Sequence, residues 1–126
     1  MTELRNARND AMPYACVYVM AADNGDVKVG VSGSPYSRLS QVKREYGPRR
    51  GFTGLRLVGM VWSHAAMEVE AEVIGLLVGC GWAVGGEWFR CDPEQTLRAV
   101  IREAEAWQAH PSVAIYDTPA PPTQSG

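Results

Sequence analysis

Four side chains in this sequence have the types and spacing to act on a phosphodiester. Tyr18, Lys28 and Arg38 fall within one short stretch, CVYVMAADNGDVKVGVSGSPYSRL (residues 16–39), and bring a phenol, an ammonium and a guanidinium. Glu70, within AMEVEAEVIGLL, adds a carboxylate. Phosphodiester hydrolysis needs an activated nucleophile, a cation on the scissile phosphate and relief of developing charge, and these four groups offer candidates for all three. Other chemistries find little support. His64 and His110 are the only histidines, and there is no Ser-His-Asp order, metal-binding histidine pair or phosphate-cradling glycine loop.

For these groups to meet, the opening stretch must fold back on itself. Val17, Tyr18, Val19 and Met20 suit a pleated surface, as do Val27, Val29 and Val31, and Asp23-Asn24-Gly25 between them tolerates positive φ. Two turns are open. A two-residue Asn24-Gly25 loop puts Tyr18 and Lys28 on opposite faces. A three-residue loop, with Gly25 left-handed in a bulge, pairs Tyr18 with Gly30 and sets Lys28 diagonally beside Tyr18 on one face. Side chains alternate with period 2, so the two exclude each other. Ser34-Pro35 then opens a helix running to about Tyr46, with Ser as cap and Pro pre-set for the first helical position. Leu39, Val42 and Tyr46 form its buried stripe. Arg38 borders that stripe, either as a surface arginine or with its stem buried and its guanidinium at a site edge.

Gly47 to Gly54, GPRRGFTG, reads as a breaker-rich loop whose Arg49 and Arg50 suit DNA backbone contact or plain solvation. Leu55 to Ser63 is a third strand, and His64 marks the passage into a helix reaching about Cys80. His64 is a helix-start polar residue, or it touches phosphate or acts as an acid. On that helix Glu70 lines up with Ala66, Val73, Ile74 and Leu77. A carboxylate in an apolar stripe costs several kcal/mol (order of magnitude) unless it is paired or binds metal, so an arginine ion pair and a metal site are the two readings. Trp82 to Cys91 is a short extended segment bent at Gly85-Gly86 and anchored by Trp88 and Phe89; Glu87 can pair with a basic neighbour or serve the site, and is read as structural. Asp92-Pro93-Glu94-Gln95 starts a last, amphipathic packing helix with a capping-box arrangement.

The stretch resembles the GIY-YIG nuclease superfamily. Cys16-Val17-Tyr18 stands where GIY would be, Lys28-Val29-Gly30 where YIG would be, and Arg38 falls eight residues after that glycine. Glu70 and the string Gly86-Glu87-Trp88-Phe89 complete the likeness over roughly residues 15 to 105. Lysine in place of the second motif tyrosine is similar to the bacteriophage DNA-binding-domain and meiotically up-regulated gene branch. The resemblance implies Tyr18 as general base or water-orienting group, Arg38 on the phosphate and Glu70 on one divalent ion, Mg2+ or Mn2+. Lys28 then either favours the tyrosinate or contacts phosphate. As an exposed hairpin lysine it is expected to do the second, because water would blunt its effect on a neighbouring pKa. Val42 stands where many members carry a second tyrosine.

Charge distribution fits a nucleic-acid partner better than the net charge of −2 does. Lys28, Arg38, Lys43, Arg44, Arg49, Arg50 and Arg56 face the single acid Glu45 in one segment, a net +6, whereas the chain beyond residue 56 is net −6. Lys43, Arg44, Arg49, Arg50, Arg56 and His64 are therefore the expected DNA contacts. Cys16, Cys80 and Cys91 form no CxxC pair and are odd in number, which argues for a reducing compartment and against a zinc site. With no signal peptide or membrane span in view, the expectation is a cytoplasmic protein. The predicted organisation is a mobile arm over residues 1–13, a nuclease-like domain over 14–109 and a largely disordered Pro-rich tail over 110–126. The predicted fold is α/β (α+β): a small, mainly antiparallel sheet of three to four strands flanked by about three helices in GIY-YIG topology. The strands are expected near 15–22, 26–32, 55–63 and 86–91. Function is expected to be metal-dependent DNA cleavage; the alternatives are DNA binding without turnover, or an interaction domain using the tail.

Overall fold

In the computed structural model, which describes residues 15–116, the opening stretch is a hairpin of β1 (Ala15–Ala22) and β2 (Asp26–Ser32). Its loop is the three-residue one. Tyr18 pairs with Gly30 and Met20 with Lys28, and Gly25 has φ of 96°, a left-handed value that glycine adopts without a Cβ clash. The remaining elements are α1 (Pro35–Arg50), β3 (Leu55–Ser63), α2 (Ala66–Gly79), β4 (Ala83–Gly85), β5 (Trp88–Arg90), α3 (Pro93–Trp107) and β6 (Ser112–Ile115). The arm expected over residues 1–13 and the disorder expected beyond Asp117 lie outside the described residues.

The sheet corrects the expected size. It has six strands in the order β4-β5-β2-β1-β3-β6, every pair antiparallel, rather than three or four. The unforeseen strands are the two edges. β4 has three residues and ends in glycine, and β6 has four, inside the segment expected to be tail. Neither is long enough to show an alternation of its own; each is a strand because a neighbour's unpaired edge orders it. The end of β6 is held further by Tyr116, whose hydroxyl contacts that of Tyr36 on α1.

Period 2 sorts the hairpin residues between two cores. Val17, Val19, Val27 and Val29 point to the side where Val69, Val73 and Leu77 of α2 and Leu97 and Val100 of α3 pack. Each fully buried valine there contributes roughly 1.5–3 kcal/mol relative to exposure. Cys16, Tyr18 and Met20 point the other way, against Val42 of α1, Phe52, Met60 and Trp88. α3 starts as its sequence indicates: Asp92 accepts from the Gln95 N–H at 2.8 Å, with Pro93 at the first position. Ser34 behaves differently from the expected cap. Its side chain makes no cap hydrogen bond, and its own N–H donates to Ser32 Oγ at 2.9 Å.

Helix α1 also outruns its expected end by four residues and takes in Gly47-Pro48-Arg49-Arg50. Pro48 lies in the last turn, where its ring φ is already helical and its missing N–H costs one bond. The end is secured by Gly51 and Phe52, both of whose N–H groups donate to Gly47 O, at 2.9 and 3.1 Å. Arg49 and Arg50 thus sit on a helix instead of a flexible loop.

The hairpin turn, the end of α1 and β5 are tied together by one buried carboxylate. Asp26, 3% exposed, accepts from Arg90 Nη2 at 2.7 Å, Arg90 Nε at 3.1 Å and Arg50 Nε at 3.2 Å. Its backbone N–H donates to Asn24 Oδ1, and Asn24 Nδ2 in turn donates to Arg50 O, both at 2.9 Å. Removing such a carboxylate strands two guanidinium groups, one of them largely buried. Asp26→Ala is expected to cost about 2–3 kcal/mol in urea unfolding. Glu94→Ala, which breaks the solvent-exposed Arg56–Glu94 pair, should cost less than about 1 kcal/mol. Equal losses would mean that Asp26 has no special part in the fold.

Candidate active site

Tyr18, Lys28 and Arg38 meet on the α1 side of the sheet. Tyr18 is buried with its ring laid over Gly30, where a Cβ would collide with the phenol oxygen and ring carbons. Only glycine opposite Tyr18 leaves that space. Lys28, two residues along on the same face, corrects the expectation of an exposed hairpin lysine: it is 6% exposed. β5 covers it, since Trp88 pairs directly with Lys28 in the ladder. Lys28 Nζ lies 6.0 Å from the Tyr18 ring centroid and 5.9 Å from that of Trp88, and it donates to Glu87 Oε1 at 2.7 Å. Trp88 is itself packed by Phe52 and Tyr46, with ring centroids at 5.4 and 5.7 Å, and by the Arg50 guanidinium at 5.0 Å.

Arg38 reaches the phenol from α1. Its Nη1 donates to Gln41 Oε1 at 2.9 Å, while its Nε is buried without a hydrogen-bond partner among the described residues. Burial pushes the Tyr18 pKa up; Lys28, and then Arg38, pull it down, but the balance stays above the ordinary tyrosine value. The cations therefore moderate the phenol's proton affinity without making it a phenolate at neutral pH.

Glu70, half-buried on α2, has neither of the usual compensations: among the described residues it makes no hydrogen bond or ion pair, which sets aside the arginine pairing considered from sequence. Desolvation raises its pKa, Glu87 raises it further and Lys28 lowers it. Lys28 and Glu87 are thus the two charges felt by Tyr18 and Glu70 alike, and the Lys28–Glu87 pair links the two parts of the site. Glu87, read from sequence as structural, belongs to this constellation. The signal that could have found it is its position beside Trp88, the residue facing Lys28.

The expected DNA contacts separate into two groups. Arg50 is engaged by Asp26 and Arg56 by Glu94, so neither offers an uncommitted charge. Lys43, Arg44 and Arg49 lie exposed on α1 with Arg38 further up the same helix, and Arg49 stacks 5.6 Å from the Tyr46 ring. Lys43 and Arg44 line an open groove of about 760 Å³ with Pro48 and Phe52. The basic segment of the sequence thus becomes a set of exposed cations distributed around one helix. His64 is exposed between β3 and α2. Val42 is buried in the α1 core, so that position presents no hydroxyl.

Two measurements test this geometry. Gly30→Ala should displace the Tyr18 ring and cost about 1–3 kcal/mol by overpacking, read as shifted tyrosine ring signals in NMR of a still-folded protein. Unmoved signals would contradict the close approach. Glu70 has a raised pKa in the folded state, so between its ordinary value of 4.5 and the raised one the folded protein holds the proton more tightly. Stability then falls as pH rises through that window. Glu70→Gln should accordingly raise the melting temperature at pH 7 by about 1–3 °C and lose that advantage below the ordinary value.

The family model for the T5orf172 domain matches residues 14–105. That span holds Tyr18, Lys28, Arg38, Glu70 and Glu87, helices α1 and α2, all but the last two residues of α3, and every strand but β6. Neither a comparison with curated proteins nor one with solved structures gives a match. No helix among the described residues is long and apolar enough to cross a membrane. On a match that covers the whole candidate site and most of its length, the chain belongs to the T5orf172 domain family.

Proposed function

We propose that this domain is a DNA endonuclease of the GIY-YIG type that hydrolyses phosphodiester bonds with the help of one Mg2+ or Mn2+ ion. The observation that carries the reading is Glu70: a half-buried carboxylate on α2 with no ion pair among the described residues, whose proton affinity responds to the charges of Glu87 and Lys28. Such a group is costly unless something cationic joins it. Its oxygen donor chemistry suits a hard divalent ion. Among the described residues no three His, Cys, Asp or Glu side chains form a cage, which fits Mg2+ held by one carboxylate together with phosphate and water oxygens. When bound, the ion would polarise the phosphate and stabilise charge developing on it.

The chain's own residues supply the rest. Arg38 holds a non-bridging phosphate oxygen with the donor that has no hydrogen-bond partner among the described residues. Tyr18, neutral at pH 7 because it is buried, orients the attacking water by hydrogen bonding instead of acting as a resting phenolate. The water oxygen forms the new bond to phosphorus as an ester oxygen leaves; one proton leaves the water and one is gained by the departing alkoxide. Lys43, Arg44 and Arg49 bind the DNA backbone, where each neutralised phosphate releases counterion.

A second reading, DNA binding without turnover, is favoured by Val42, whose burial denies the helix a second hydroxyl near Arg38. Purified protein and plasmid with Mg2+ or Mn2+ separate the two. Cleavage is expected, and Glu70→Ala should lower it by about 100-fold or more while DNA binding in EDTA persists. Cleavage that survives Glu70→Ala removes the metal assignment, and binding with no cleavage by the wild type selects the second reading.

A further inference from the structure

Lys28 is held in an unusual way. Its ammonium is packed between two rings, and its single hydrogen bond among the described residues is to a carboxylate that is half in water: the side chains are 7% exposed for Lys28 and 48% for Glu87. A buried ammonium needs an anionic partner, but nothing in this geometry requires that partner to be Glu87. Glu87 follows Gly85 and Gly86, which have φ of 134° and 57°, in the turn between β4 and β5. Its backbone is pinned separately, by Val29 N–H donating to Glu87 O at 3.4 Å. The side chain can therefore swing into water while the strand edge stays in place.

We propose that the Glu87 carboxylate occupies, in the free protein, the place of a non-bridging phosphodiester oxygen on Lys28, and that DNA enters the site by displacing it. This rests on the DNA-binding reading above. A diester phosphate carries two non-bridging oxygens, and two cationic groups flank the Tyr18 phenol: Lys28 behind Glu87, and Arg38 with a buried Nε that has no partner among the described residues. One phosphate spanning the pair answers both. The exchange leaves the buried ammonium neutralised at every stage. Asp26 is the contrast: it is 3% exposed and shared by two arginines.

The test is binding of a labelled duplex oligonucleotide in EDTA, where nothing is cleaved. Glu87→Gln keeps the shape and a hydrogen-bond acceptor but removes the competing charge. It should bind about three- to tenfold tighter than wild type, with a log–log salt slope steeper by about one. In a Lys28→Met background the same change should give no gain, which separates displacement at Lys28 from a general loss of negative charge. Equal or weaker binding by Glu87→Gln, or an equal gain without Lys28, overturns the proposal. Should Glu87→Gln fail to fold, the wild type decides. On adding duplex, the Glu87 side-chain carboxyl carbon should move to the shift of a solvated glutamate. Its staying put while the Tyr18 and Arg38 amides respond is the overturning result. A wild type that binds no DNA at any salt removes the functional reading as well, whereas one that binds with no gain in Glu87→Gln removes this inference alone.

Discussion

The length of one turn governs this protein. Three residues between β1 and β2, rather than two, place Tyr18 opposite Gly30 and Lys28 opposite Met20, so that phenol and ammonium share a face. Because side chains alternate along a strand, the same choice sends the valines of both strands to the opposite face, where α2 and α3 cover them. A slip of one residue between the strands would put Tyr18 and Lys28 on opposite faces and turn the valines of one strand away from the core that the other keeps. The hydrophobic demand of that core therefore also fixes the polar arrangement on the other side.

Two carboxylates then compensate the cations that this arrangement buries, and they do so in different ways. Asp26 is enclosed, accepts from two arginines and ties the turn to the end of α1 and to β5. Glu87 stands at the sheet edge, half in water, and pairs with one lysine. The first arrangement is a fastening, since breaking it leaves guanidinium groups without a partner. The second is an exchangeable contact, because any anion of suitable reach can replace it. The basic segment of the chain is divided on the same principle. Lys28, Arg50 and Arg56 are matched internally, while Lys43, Arg44 and Arg49 remain exposed on α1.

Much of the central fold was legible in the residues. The hairpin, β3 and β5, the three helices and the Asp92 cap all follow from local patterns: alternation, helical periodicity, the capping chemistry of Asp and the preference of Pro for the first helical position. Where local rules misled, a tertiary partner outweighed them. Pro48 and two glycines argue against helix, yet α1 continues to Arg50 because its last turn is closed by Gly51 and Phe52 and its end is held by Asn24 and Asp26. β4 and β6 carry too few residues for a pattern and exist because β5 and β3 offer them unpaired edges.

The candidate site divides along the same line. Sequence alone singled out Tyr18, Lys28, Arg38 and Glu70 by their chemistry, and it limited the hairpin to two registers, because both the turn residues and the period of a strand are properties of a few consecutive residues. It could not choose between those registers, nor see that Lys28 is buried, that Glu87 is its partner, or that Arg50 and Arg56 are already paired. Each of those facts depends on segments tens of residues apart arriving at one place, as Trp88 does over Lys28 and Arg90 beside Asp26. Burial and charge pairing are sums over all such neighbours, so only the folded chain determines them.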